Sequence, residues 1–532
     1  MEIDLTNQKE LKAFLERRHP EYACNLAHWN FLDSTYRGGR EWFLEGNIFS
    51  YFKEGDKEYA DRVERAYRFN HTREIVDLVN KHIFKGEIIR NTEDASEPVK
   101  RFWKRATRKG QPIDTLMRES SKVSSTLGMN FVVVDSTNRG GIISVADEKR
   151  LKVKTYGYIV RPQNVLDIGF DEEGELLWIL IYEVVRDDKD PIKASGAERG
   201  RFRLWTRDEW FLFRLVRKGN RKIVELEGQG VTGLGVVPVI PVPHIEQDTP
   251  YTAPALIGDI AYLDRAVANY LSNLDVIIQD QTFSQLALPA QSVLPGGDGE
   301  EQILEMSTKR SFTYDASSPG HKPEFIAPDP KQAGVIISTV NKVIAEIYHS
   351  VGMAGERTKQ DNAAGIDNSS GVAKAYDFER LNSLLVSKAD ALDTVENKIV
   401  ELVERWHGIY DEKADRQDLV KYPDSYDVRS LYDEFEVAQR LTLISAPDEI
   451  RREQMRILAF KLWPRMPAAL KAKIETALKD WPPDPAELMP TPSPSALLDN
   501  GESKQGQNNK DAKGDKTAAA GKAGAKKGGK AA

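Results

Sequence analysis

The sequence predicts an α+β chain, and three observations carry that reading. Apolar residues recur at helical spacing through the first 125 residues. From Asn130 to about residue 245 the period changes to two, in short runs with no helix between them. Beyond Pro254 the helical period returns, in segments well above the average helix length of globular domains.

In the lead, Leu11, Phe14 and Leu15, then Tyr22, Leu26, Trp29 and Leu32, share one side of a helix, or of two joined near His19-Pro20. DRVERAYRFNHTREIVDLVNKHIF repeats the pattern and ends before Gly86. NFVVVD, GIISVAD, YGYIVRP, LLWILIYEVVRDD, RFRLWTRD, EWFLFRLVRKG and RKIVELE are seven predicted strands of one antiparallel or mixed β unit over about 125–245. Ala255, Ile257, Ile260, Leu263, Val267, Leu271, Leu274 and Ile278 then keep helical spacing for some thirty residues. Such a helix is about 45 Å long and needs a long partner or a neighbouring subunit. Residues 286–330, rich in Pro and Gly, predict a small β-containing insertion, and AGVIISTVNKVIAEIYHSVGM a second helix over 333–353.

The polar, glycine-rich MAGERTKQDNAAGIDNSSG follows, in the manner of a lid or binding loop. After it comes a very long helix carrying Val372, Phe378, Leu381, Leu385, Ala389, Leu392, Val395, Ile399, Leu402 and Trp406, with Asn368 or Ser369 as its cap. Three shorter helical patterns start near residue 430, and a proline-rich exit leads into the tail Gly501–Ala532. That tail holds eight lysines against Glu502, Asp511 and Asp515 and no aromatic residue, so disorder is expected.

Composition narrows the function classes. A net charge of −7 argues against a protein coated by nucleic acid, while leaving room for local basic patches. One cysteine, Cys24, excludes an internal disulfide framework and any cysteine-rich zinc site. The charged start MEIDLTNQKELKAF has no signal-peptide pattern, and VVPVIPVP at 236–243 is too short and proline-broken to span a membrane.

Catalytic motifs fail one by one. GQGVTGLG, Gly228 to Gly235, has dinucleotide-fingerprint spacing, but the motif requires a following helix and three prolines come next. A glycine turn leading into an extended segment is the expectation there. The eight histidines form no H-x-x-x-H or H-E-x-x-H, and His244 with Glu246, or Asp315, His321 and Glu324, lack ligand spacing. Ser370 misses the S-x-x-K register because Lys374 stands one place too late. Adjacent acids such as Glu300–Glu301 and Asp171–Glu172 read as surface charge, and Trp178, Trp205 and Trp210 as sheet positions. No catalytic, cofactor or metal residue is therefore expected.

The order of elements, helical lead, β unit, long helix, small insertion, second helix, loop, very long helix and helical end, resembles the portal proteins (head-to-tail connectors) of tailed bacteriophages. PHIEQDTPYTAPALIGDIAYLDRAVANYLSNLDVIIQDQTFSQLALP is similar to that family's strand-to-first-long-helix segment. NKVIAEIYHSVGMAG, with SSGVAKAYDFERLNSLLVSKADALDTVENKIVELV after it, resembles its helix, tunnel loop and helix. The likeness spans roughly residues 20–480 and rests on segment order, since the family has no short signature.

The resemblance implies a wing over 1–250, a stem helix in 251–285, a clip over 286–330 and a second stem helix over 331–353. A tunnel loop would occupy 354–368, the long wing helix 369–429, a crown 430–482, and a disordered tail 483–532. It implies a ring of about twelve copies at one capsid vertex of the virion, assembled in the host cytoplasm, through which double-stranded DNA is packaged and ejected. The partners it implies are the terminase large subunit, head-completion or adaptor proteins, and major capsid and scaffolding proteins, with no membrane, no cofactor and no enzymatic activity of its own. Lys342, His349, Arg357 and Lys359 are the candidate DNA-channel residues, each copied around the ring against phosphate. For Lys342 a salt bridge to Glu346, four residues on, is the competing expectation. The Lys/Ala/Gly tail departs from the family pattern. Two other classes stay open on the residues: an enzyme with a scattered active site and a 354–368 lid, or another ring-forming virion structural protein.

Overall fold

A computed structural model describes residues 4–137 except 87, 154–247 except 189, 191 and 220, 251–282, 285–289, 311–314, 324–326, 330–353, 371–426 except 412–416 and 425, and 447–481 except 463–465, 467 and 480. Two units are distinguished, Met1–Asp427 and Val428–Ala532. The chain is mixed helix and sheet.

The lead is two helices rather than one. α1 (Gln8–Glu16) and α2 (Pro20–Arg37) are separated by extended backbone at Arg17 and by His19, whose side chain caps α2 with Pro20 in its first turn. α3 (Arg40–Trp42) continues into a π-helical turn over Phe43–Asn47, and α4 (Asp56–Arg65) and α5 (His71–Ile83) follow. A short β1 (Ile89–Arg90) precedes α6 (Glu97–Lys104) and α7 (Ile113–Leu127).

Where one β unit is expected, the chain builds two sheets. β2 (Met129–Ser136) is flanked antiparallel by β3 (Thr155–Val160) and by β9 (Val239–Pro243). Between them in sequence, β4 (Val165–Phe170), β5 (Leu176–Arg186), β6 (Glu198–Thr206), β7 (Glu209–Lys218) and β8 (Arg221–Val231) form a five-stranded antiparallel meander. Strand periodicity sets which face is apolar but not which strand pairs with which, so the split was invisible in the pattern. β4 was not expected at all: Asp167 and Gly169 break its apolar run. The predicted strand GIISVAD lies outside the described residues.

β2 shows why the small sheet is central. Phe131, Val132, Val133 and Val134 are all fully buried, on both faces, because α7 and the long helix introduced below both pack onto this strand. β9 carries Pro241 and Pro243 opposite Phe131 and Met129, and it lies at the sheet edge, where a missing N–H costs no ladder bond. Gly128 makes the α7–β2 turn at φ +84°, and a Cβ there would stand 1.8 Å from the Ala253 carbonyl oxygen. The expected glycine turn of GQGVTGLG is only half right: Gly228 and Gly230 are within β8, and a Cβ on Gly230 would meet the Trp210 ring at 2.7 Å. Trp205 is buried, while Trp178 and Trp210 are half-buried in the meander. The meander's β8 edge is engaged by Gln8, whose amide accepts from Val224 N at 2.9 Å and donates to Val224 O at 3.1 Å.

α8 begins at Ile260, not Ala255, and runs to Thr282; Leu256–Asp259 form turns instead. Gly258 and Asp259 favour such a turn over a helix interior. At about 35 Å it is still long. β10 (Gln285–Pro289), β11 (Ser311–Tyr314) and β12 (Glu324–Ile326) make a three-stranded sheet in the order β11-β10-β12. α9 (Pro330–Ser350) packs against α8, and α10 (Gly371–Trp406) crosses the core beside β2, β9 and α7. β13 (Val420–Lys421) closes back on β1. In the second unit α11 (Asp448–Leu462) packs on α12 (Ala468–Lys479). The first predicted helix of that end, in 431–444, is outside the described residues.

Candidate functional site

The α8–α9 hairpin is built by its two ends. At one end β10 follows α8 within three residues and pairs antiparallel with β12, which feeds α9. The strand pair therefore sends the chain back along its own path, and the two helices pack antiparallel.

At the other end, polar residues of α8 tie it to the lead helices. Buried Asp264 faces His71 Nδ1 at 3.0 Å, Thr72 Oγ1 at 3.4 Å and Arg68 Nη2 at 3.6 Å. Burial lowers the Arg68 pKa, and the Asp264 charge opposes that shift. Asn269 accepts from Phe49 N and donates to Asn47 O, both at 2.9 Å. Ser272 accepts from Arg62 Nη1 at 3.0 Å, and Asp275 meets Arg65 Nε at 3.3 Å. Ala268 sits between these contacts in a small apolar cluster with Trp42, Phe43, Ile48 and Val63. The root of the hairpin is thus clamped by directional bonds that fix its rotation.

Away from the root the helices leave apolar side chains in water. Ile278 is 50% exposed, Val335 64% and Ile337 47%. A two-helix layer has no second face to cover such residues.

Lys342 and His349 lie exposed on the same side of α9, with Glu346 between them. Seven residues separate them, about 10 Å along the axis. The expected Lys342–Glu346 pair does not form among the described residues; Glu346 Oε2 instead lies 3.9 Å from His349 Nδ1. His349 is in the last turn of α9, where the helix dipole also favours a cation. Arg357 and Lys359 fall outside the described residues, as does the whole of 354–368.

Two buried polar groups on α10 went unanticipated. Lys388, fully buried, places Nζ 3.0 Å from Ser124 Oγ and 3.0 Å from His244 Nδ1. Burial pulls the Lys388 pKa down to about 7, and burial together with the Lys388 charge holds His244 well below its ordinary value. Farther along, Glu396 takes two bonds from Arg90, at 2.6 and 3.2 Å, and one from Tyr422 Oη at 2.9 Å. Arg90 also reaches Asp114 at 2.8 Å. Burial works to lower the Arg90 pKa, but the Glu396 bonds and charge outweigh it and leave it raised. Both positions had a legible signal: 388 and 396 fall on the apolar stripe of Leu381, Leu385, Leu392 and Ile399, where a charge demands a partner.

A serine beside a lysine of lowered pKa has the elements of a nucleophile and base. Ser124, His244 and Lys388 are sealed from solvent, however, so no substrate reaches them as they stand. A polar cleft lined by Asp33, Tyr36, Lys122 and Arg161 measures about 90 Å³, against the 300 Å³ or more typical of small-molecule sites. Among the described residues no cluster of His, Cys, Asp or Glu is arranged to hold a metal ion, and no helix is long and apolar enough to cross a membrane.

No protein-family model matches the chain, and no curated protein matches it. Among solved structures it is similar to a chain of the virion of a native gene transfer agent particle, at 12% identity and a TM-score of 0.36, over 76% of this chain and 94% of that one. It is also similar to a chain from the neck of an empty gene transfer agent particle computed with C6 symmetry, at 10% identity and a TM-score of 0.33, over 70% and 89%. Likenesses this distant assign no role to any residue.

Proposed function

We propose that this chain is a portal-type virion subunit, whose copies close into a ring of about twelve around a channel for double-stranded DNA. The observation that carries the reading is the α8–α9 hairpin: clamped at its root, returned by β10 and β12 at its far end, and apolar on faces its own chain leaves uncovered. A neighbouring copy of the same hairpin supplies the missing cover, and repetition of that contact closes a ring.

In this reading residues 1–250 and 369–429 form the wing, 251–285 and 331–353 the stem, 286–330 the clip, 354–368 the tunnel loop and 430–482 the crown. Lys342, His349, Arg357 and Lys359 become sparse rings of positive charge in the channel, enough to guide phosphate without holding it. The chain does no chemistry itself. A separate terminase docks at the clip during packaging, head-completion proteins follow it there, and capsid and scaffolding proteins meet the wing at the capsid vertex.

The paired substitution Val335→Asp/Ile337→Asp tests the hairpin contact. Both positions are on the surface of one copy, so the isolated subunit folds with its helical circular dichroism intact. Sedimentation of the variant should show subunits where the unaltered chain sediments as a ring. A ring of unchanged mass in the variant would refute the hairpin as the contact.

A further inference from the structure

The densest run of positive charge among the described residues is not on the hairpin but at the end of α6. VKRFWKRATRKG places Lys100, Arg101, Lys104, Arg105, Arg108 and Lys109 within ten positions, in a protein of net charge −7. Phe102 and Trp103 are buried under it, while Lys104, Arg105, Arg108 and Lys109 are exposed. Those four make no ion pair with any described residue. The nearby acids are already engaged: Glu97 with Lys100 at 3.3 Å, Asp114 with Arg90 at 2.8 Å, and Asp135 with Tyr156 Oη at 2.8 Å.

The turn that carries the charges is rigid. Ala106 N donates to Gln111 O at 2.7 Å, Gly110 N to Thr107 O at 2.8 Å, and Gln111 N to Thr107 Oγ1 at 3.0 Å. Gly157 N of β3 donates to Ala106 O at 2.6 Å, fastening the turn to the small sheet. The Arg108 guanidinium rests over the Tyr156 and Tyr158 rings, 4.9 and 4.4 Å from their centroids. A bland alternative covers part of this: cations complement the C-terminal dipole of α6, which accounts for Lys104 and Arg105. Arg108 and Lys109 lie beyond the helix and are not accounted for that way.

We infer that this turn, Lys104 to Lys109, binds the phosphate backbone of double-stranded DNA, through residues other than the channel candidates Lys342 and His349 of α9. The choice of nucleic acid over an acidic protein rests on what surrounds the charges. A protein partner needs apolar anchors at the centre of its interface. From Lys104 to Gln111 no apolar side chain is exposed, Ala106 being buried. A fixed array of cations without apolar anchors suits a polyanion held by counterion release.

The test uses the full chain and a fluorescein-labelled mixed-sequence duplex of about 24 base pairs, titrated from 50 to 200 mM salt. The lysine tail stays in place in every variant, so differences report the turn alone. Lys104→Gln/Arg105→Gln/Arg108→Gln/Lys109→Gln should weaken binding at least tenfold at 100 mM salt and flatten the log–log salt slope by about three to four. Arg105→Lys/Arg108→Lys keeps the charge and should stay within about threefold of the unaltered chain with the same slope. Unchanged affinity and slope in the glutamine variant would overturn the inference. So would displacement of the duplex by poly-glutamate at lower charge concentration than by unlabelled duplex, which would make the turn an acidic-peptide site. Ring mass is read separately on the same samples, so failure here leaves the portal reading standing, and the reverse holds too.

Discussion

At the scale of single residues, Lys388 is the most informative position. Its ammonium is buried and, among the described residues, meets Ser124 and His244 but no carboxylate. Burial depresses the folded pKa to about 7, from the 10.5 of an ordinary lysine. Between those two values the unfolded chain holds a proton that the folded one does not, so stability rises with pH across that window. Below about 7 both states are protonated and the full penalty applies. Lys388→Met should therefore raise the stability of the folded chain by about 1–3 kcal/mol at pH 7 and by less at pH 10. Thermal melts at the two pH values check this. A variant less stable than the unaltered chain at both would show that the Ser124 and His244 bonds outweigh the buried charge.

Residue patterns also set the limit of what could be read beforehand. The stripe through Leu381, Leu385, Leu392 and Ile399 marked α10 as a long helix, but the charges on that stripe, Lys388 and Glu396, were passed over although each needs a buried partner. Which partners they were depended on strands and helices far away in sequence: Ser124, His244, Arg90 and Tyr422. Of the four channel candidates, Lys342 and His349 share a face of α9 as their spacing requires, though Glu346 takes His349 rather than Lys342. Arg357 and Lys359 rest on sequence alone.

At the scale of elements, regular period carried the reading and tertiary pairing decided the rest. α5, α9 and α10 were legible because their apolar stripes are long, in α10 even with Lys388 and Glu396 interrupting it, and β5 to β8 because alternation and turn residues agree. β4 was hidden by Asp167, whose burial is relieved by the Arg17 guanidinium at 2.5 Å, a contact from a different element. The start of α8 was misplaced because apolar spacing continues through Ala255 and Ile257 while the backbone is still turning. The α7–β2 junction gives an element-scale prediction. Gly128→Ala would force a Cβ into the Ala253 carbonyl and a side chain into positive φ, at a cost of at least about 2 kcal/mol. Chemical denaturation measures it. A loss under 0.5 kcal/mol, in the same units, would mean that the 251–259 segment moves aside freely.

At the scale of the whole molecule, the central claim is assembly. The lead helices, the two sheets and α10 share one continuous core, with β2 buried on both faces and α10 crossing it. The hairpin is fixed to the lead helices at its root, while Ile278, Val335 and Ile337 are exposed; in the proposed assembly a neighbouring copy covers them. A head-to-tail contact repeated around an axis gives a ring when its rotation closes and an open filament when it does not, so ring and filament are the two outcomes the proposed contact allows.

Electron microscopy of the purified chain in negative stain, with single-molecule mass on the same sample, tests this claim most directly. The account predicts end-on rings with a central hole, at about twelve times the 59.9 kDa chain mass. A monodisperse particle near 60 kDa at every concentration, with the hairpin face still in water, would contradict it.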